Sequence, residues 1–222
     1  MAIDKPIMFI HVPKTGGTSL RSLIKDNFSW TPWFKIPDVL AAVRPEQVFA
    51  ITTAPRHEPV SLLETKNDLS NFFVFGIVRS PYTRAYSLYK HLARFRGSIA
   101  PQGLTRIVFT NFVDFLTHVK ANVDVYDEKH FMRPRPYFED YVTYTQTFFL
   151  TNSEGVITAD KIYRFENLAE LEADFELSLP NENKGGYTSE DYYEDYTPEA
   201  IELVKEIYAK DFENFNYSLH FE

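Results

Sequence analysis

The sequence predicts an α/β fold: a mostly parallel central sheet flanked by helices. Three observations carry this expectation. Short apolar runs of strand length recur at Ile7 to Val12, Val48 to Thr53 and Phe72 to Val78. The first and third are each followed by loop residues and then by apolar residues at helical spacing. The third run is almost wholly apolar, as a central parallel strand buried on both faces should be. Strands that alternate with helices in this way favour a parallel sheet, whose ligands bind beyond the carboxyl ends of the strands.

Each element has its own justification. Pro13 and the Gly16-Gly17 pair end the first strand, and Leu20, Leu23, Ile24 and Phe28 then mark one helical face. Ser80-Pro81 supplies an N-cap and a first-turn proline, after which Tyr82, Ala85, Tyr89 and Leu92 repeat along one helix. A helix is expected at Asn111 to Val119, a strand at Lys161 to Phe165, and a helix from Glu166 or Asn167 through Phe175. Thr197-Pro198-Glu199 opens the last helix, with Ile201, Val204, Tyr208 and Phe212 on its packing face. The segment from Gly97 to Tyr144 otherwise gives no clear pattern beyond a Pro/Arg-rich stretch at Arg133-Pro134-Arg135-Pro136. With 222 residues, 44% of them hydrophobic and 24% charged, the chain is expected to form a single domain over 1–222.

Composition also limits function. There is no cysteine, which removes disulfides, thiolate zinc sites and cysteine nucleophiles. No apolar stretch has the length of a signal peptide core or a membrane span, so a soluble cytoplasmic protein without stable membrane insertion is expected. A net charge of −8 argues against nucleic-acid binding, yet the charge is uneven. From Leu69 to Val113 there is no Asp or Glu, while Arg79, Arg84, Lys90, Arg94, Arg96 and Arg106 all fall there. An anionic ligand is drawn to such a window. Glu170 to Glu222, by contrast, is strongly acidic.

The segment Pro13-Lys14-Thr15-Gly16-Gly17-Thr18-Ser19 sits between the first strand and the first helix. Its glycines let the backbone curl so that amides at the helix start face a phosphate, and Lys14 adds a mobile positive charge. An NTP-binding P-loop places its lysine after the last glycine and follows it with a Mg²⁺-binding hydroxyl; here the lysine comes first. The second segment, Arg79-Ser80-Pro81-Tyr82-Thr83-Arg84-Ala85-Tyr86-Ser87, begins where the third apolar run ends. Arg79 and Ser87 are candidates to hold one anion; the alternative is that Arg84 only braces the loop through carbonyls or a carboxylate and Ser87 only packs as a small residue. Two anion sites at neighbouring strand ends suit a ligand phosphorylated at both ends.

On these residues a resemblance rests. His11 to Ser19 resembles the 5′-phosphosulfate loop of sulfotransferases that use 3′-phosphoadenosine 5′-phosphosulfate (PAPS), in the form found in the carbohydrate type that includes heparan sulfate 2-O-sulfotransferase and bacterial relatives. Val78 to Arg84, through Ser87, resembles that family's 3′-phosphate motif. Arg164-Phe165-Glu166-Asn167-Leu168 and Leu179-Pro180-Asn181-Glu182-Asn183-Lys184 match more loosely. The resemblance implies a P-loop-NTPase-like three-layer fold, PAPS as donor, adenosine 3′,5′-bisphosphate as product and a hydroxyl-bearing acceptor of carbohydrate type. It places Lys14 and the backbone of Thr15, Gly16, Gly17, Thr18 and Ser19 on the 5′ end, and Arg79 and Ser87 on the 3′-phosphate. Asn183, Lys184 and Tyr187 fall where the family closes a loop over the nucleotide, although Gly185-Gly186 departs from its more basic pattern.

Sulfuryl transfer needs charge stabilisation at the bridging oxygen, a task for Lys14, and a base for the acceptor proton. His57 and Glu58 follow the second apolar run, and His57 is the preferred base. His11 is expected to be a core histidine of the first strand. Gln146 resembles a family position near the acceptor or donor cleft, and a buried strand glutamine fits it equally. No metal-ligand spacing or serine-nucleophile elbow is present, so no metal is expected. Two other classes stay open: a small-molecule or nucleotide kinase, and a catalytically silent nucleotide- or glycan-binding protein.

Overall fold

The computed structural model of the chain describes residues 5–17, 19–20, 29–32, 48–51, 57–65, 67–93, 108–125, 141–176, 178–179 and 188–222. The chain forms two compact units, one from described residues within 1–79 and 146–183, the other from those within 80–126, 137–145 and 184–222.

The first unit holds the sheet. Its strands are β1 (Ile7–Ile10), β2 (Ser29–Pro32), β3 (Val48–Ile51), β4 (Phe73–Val78) and β5 (Lys161–Arg164). They lie in the order β2-β3-β1-β4-β5, and every pairing is parallel. Central β1 sets Phe9 beside Ile51 of β3 and beside Phe75 of β4, so the chain crosses from one side of β1 to the other between β3 and β4. Such a reversal in strand order opens a crevice at the carboxyl edge of a parallel sheet.

Alternation explains the layers. Ile7, Phe9, Phe73, Phe75 and Ile77 pack with Leu20, Tyr163 and Leu171 on one face. The intervening Met8, Ile10, Val74 and Val78 are also buried, so β1 and β4 are covered on both faces. On the second face Gly76 admits Leu150: a Cβ built at Gly76 would come within 2.6 Å of the Leu150 Cδ2 atom. The short helices of this unit are α1 (Val60–Leu63), α4 (Gln146–Leu150) and α5 (Ala169–Phe175).

The second unit is helical, with α2 (Pro81–Ala93), α3 (Phe112–Asn122), α6 (Ser189–Asp195), α7 (Pro198–Ile207) and α8 (Ala209–Asn214). Its core joins Tyr82, Tyr86, Phe112, Phe115, Tyr192, Tyr196, Val204 and Phe212. Side chains cap two of these helices: Asn111 accepts from the Asp114 N–H, and Thr197 accepts from the Ala200 N–H ahead of Pro198.

Several expectations needed correction. The second apolar run is strand over Val48–Ile51, its last two residues lying outside the described residues, and the last strand stops at Arg164, where Phe165–Asn167 turn as a 3-10 helix. Strand β2 carried no apolar signal because it is a short edge strand ending on Pro32, a residue tolerated at such positions. Gln146 is buried, as one of its alternatives had it, but on a helix. The last helix breaks at Tyr208, whose N–H still reaches the Val204 carbonyl while its φ of −106° and ψ of 25° leave the helical range. The Arg133–Pro136 stretch lies outside the described residues. No described helix is long and apolar enough to cross a membrane.

Candidate active site

The site is built at the carboxyl edge of the sheet by the residues that follow β1, β3, β4 and β5. The loop after β1 is tightly held. Val12 donates its N–H to the Ile10 carbonyl at 3.2 Å, and the buried Thr15 hydroxyl donates to the Val12 carbonyl at 2.9 Å. Gly16 has a φ of +84°, and the Ser19 N–H reaches its carbonyl at 3.1 Å, so the helical turn starts at Gly17. Lys14 also sits at positive φ, 68°, which costs a residue with a Cβ of order 1–3 kcal/mol. Thr15 and Gly17 are not at positive φ, so the backbone hand alternates from residue 14 to residue 17. Alternation of this kind aims successive N–H groups into one concavity suited to an anion.

The two glycines answer different neighbours. A Cβ at Gly16 would lie 2.9 Å from the Phe165 ring, and one at Gly17 would lie 2.1 Å from the His11 ring. The loop therefore needs both positions bare for packing as well as for curvature. His11 is the first residue beyond β1, not a strand residue as expected; it is buried, and its ring stacks on Phe9 at 5.5 Å.

His57 is half-buried beside it, with ring centroids 4.6 Å apart. The His57 Nδ1 atom is 2.9 Å from the His11 carbonyl oxygen. A carbonyl only accepts, so Nδ1 carries the proton, and in the neutral ring Nε2 is then the accepting nitrogen. The other base candidate, Glu58, is buried at 3% exposure.

Arg79 is the residue after β4 and is fixed from three directions. Its Nη1 donates to the Lys14 carbonyl at 3.4 Å, and its guanidinium carbon stands 4.4 Å from the centre of the Phe165 ring. Its backbone N–H donates to Gln146 Oε1 at 2.8 Å, and its carbonyl accepts from Gln146 Nε2 at 2.8 Å. The structure thus brings Lys14, Thr15, Gly16, Gly17, Ser19, His57 and Arg79 into one unit. Ser87 lies in the other unit, buried on α2. There Arg84, fully buried, donates from Nη2 to the Tyr144 carbonyl at 3.1 Å, which is the bracing alternative. Nearby, Asp124 accepts from the N–H and hydroxyl of Thr145, and burial raises its carboxyl above the ordinary aspartate range. Thr18, Asn183, Lys184 and Tyr187 lie outside the described residues.

Phe165 is the site residue that the sequence motif contained without revealing its use. Its signal is the Arg164 to Leu168 segment that follows β5, but the ring's contact with Arg79 is non-local.

Comparison with known proteins now bears on this arrangement. The sulfotransferase family model matches residues 1–218, and the chain belongs to the sulfotransferase family. Mouse sulfotransferase SULT7A1, solved in complex with PAP, is 13% identical over 97% of this chain and 86% of its own, with a TM-score of 0.52. A sulfotransferase from Alicyclobacillus acidocaldarius is 16% identical over 98% of this chain and 97% of its own, with a TM-score of 0.45. No curated protein sequence matches significantly. The fold is the α/β sulfotransferase fold, like that of P-loop NTPases, and the family's chemistry is sulfuryl transfer.

Proposed function

We propose that the chain moves a sulfuryl group from PAPS to a hydroxyl of a carbohydrate or glycoconjugate, leaving adenosine 3′,5′-bisphosphate. The observation that carries this reading is the link from the Arg79 guanidinium to the Lys14 carbonyl, which ties together the two strand ends whose motifs resemble the 3′-phosphate and 5′-phosphosulfate sites. The PAP bound to the mouse neighbour supports the same donor. The family match over residues 1–218 supports treating the chain as a single sulfotransferase domain.

The described residues fit such a donor. The alternating backbone of residues 14–17 offers N–H groups to the phosphosulfate, with the Lys14 ammonium carried by the same loop. Arg79 supplies forked donors for the 3′-phosphate. When bound, PAPS supplies a sulfuryl group on a good leaving group. Lys14 stabilises the negative charge that grows on the departing phosphate oxygen as its bond to sulfur breaks. His57 accepts the acceptor's proton on Nε2 while Nδ1–H stays on the His11 carbonyl, as the acceptor oxygen forms its bond to sulfur. No metal takes part in this scheme.

The test is transfer from labelled PAPS to a panel of sugars, lipids, peptides and phenols, read by mass spectrometry with and without excess EDTA. Sulfation of a carbohydrate hydroxyl in EDTA is expected. Collapse in EDTA with recovery on Mg²⁺ would favour a kinase, and retained PAPS with no product would favour a silent binding protein.

A further inference from the structure

We infer that Gln146 is a positioning residue for the 3′-phosphate site, acting through the backbone of Arg79; this rests on the donor assignment proposed above. Gln146 is completely buried, and both ends of its side-chain amide meet the main chain of Arg79 in the manner of a neighbouring strand, at 2.8 Å each. Arg79 follows the last residue of β4, where ladder pairing with β5 ends at Val78 and Arg164. Gln146 therefore continues the hydrogen bonding one residue past the sheet and fixes the φ and ψ from which the guanidinium departs. The Phe165 ring and the Lys14 carbonyl then fix the far end of the same side chain.

Gln146 is able to do this because Gly76 lets Leu150, at the other end of α4, lie against β4. A side chain of Leu at position 146 keeps the volume and loses both bonds, leaving the Arg79 peptide groups to find other partners. A Glu there behaves in two ways. Protonated, it is an isostere that accepts from the Arg79 N–H and donates to the Arg79 carbonyl. Ionised, it sets a second acceptor against that carbonyl. Burial favours the protonated form over a wider range than in water.

The experiment is calorimetry of adenosine 3′,5′-bisphosphate and adenosine 5′-phosphate on the parent, Gln146→Leu and Gln146→Glu, each first confirmed folded by its melting transition. Gln146→Leu is expected to weaken the bisphosphate roughly ten- to a hundredfold, within the range for a lost buried hydrogen-bond pair, and the monophosphate hardly at all. Gln146→Glu is expected to be weak at about pH 8 and to recover toward the parent, measured at the same pH, as the solution is brought to about pH 5. Should Gln146→Leu not fold, the pH recovery of Gln146→Glu decides alone. A folded Gln146→Leu that keeps parental affinity, an equal loss for both nucleotides, or a Gln146→Glu without pH recovery overturns the inference. A parent that binds both nucleotides alike overturns the donor assignment itself, and the role of Gln146 with it.

Discussion

Lys14 shows how far a residue's chemistry and its conformation can be separated. Its φ of 68° suits glycine better than any residue with a Cβ, so Lys14→Gly keeps or relaxes the loop while removing the charge. If Lys14 stabilises the leaving oxygen, Lys14→Gly is expected to lower kcat more than it raises the KM for PAPS in steady-state assays; a change in KM alone would make Lys14 a binding residue. His57→Ala is expected to lower kcat by about 10²–10⁴-fold and to abolish the acid limb of the pH–rate profile, with bisphosphate affinity nearly unchanged. A retained limb would place the base elsewhere. Away from the site, Lys161 and Tyr163 both donate to Asp174 and hold its carboxyl below the ordinary value of 3.8. A depressed carboxyl stabilises the fold above its unfolded value, and that contribution is lost as pH falls through its folded value. Asp174→Asn is therefore expected to melt below the parent near neutral pH, the gap closing in acid; a gap independent of pH would contradict this. Lys14, the glycine pair and Arg79 stood out in sequence as candidates because their signals are local. The need for Gly17 was only half legible, since the His11 ring that fills its space is placed by the fold.

At the scale of elements, sequence legibility followed local signals. α7 was visible from Thr197 and Pro198, which satisfy and pre-shape its first turn. Thr197→Ala is expected to cost about 1 kcal/mol in denaturant unfolding; no measurable loss would mean that packing of Ala200 and Val204 alone fixes the helix start. The break at Tyr208 was hidden because Ile201, Val204, Tyr208 and Phe212 keep helical spacing across it, and burial of Tyr208 and Phe212 serves a broken helix as well as a continuous one. α6 was missed because its capping box, Thr188 with Asp191, precedes a segment rich in Tyr, Asp and Glu with no clear apolar stripe. β2 shows the opposite case, with partners supplied by β3 and little signal of its own.

For the whole molecule, the parallel sheet could be read from strand content, but the order β2-β3-β1-β4-β5 could not, because register and neighbours are set by distant pairings. That order is what turns two separate loop motifs into one edge. β1 lies beside β4, so the loop after β1 and the residue after β4 meet, and Arg79 bonds to the Lys14 carbonyl. The acid-free window around Arg79 then has a structural meaning: no carboxylate of that segment competes with an anion for the guanidinium. The most direct measurement is calorimetry of adenosine 3′,5′-bisphosphate on the parent and on Arg79→Ala, with adenosine 5′-phosphate as the control. Loss of a charge-assisted contact of ~1.5–3 kcal/mol is expected to weaken the bisphosphate roughly ten- to a hundredfold in Arg79→Ala, with little change for the monophosphate. Equal bisphosphate affinity in the two proteins would contradict the assignment of Arg79 to the 3′-phosphate.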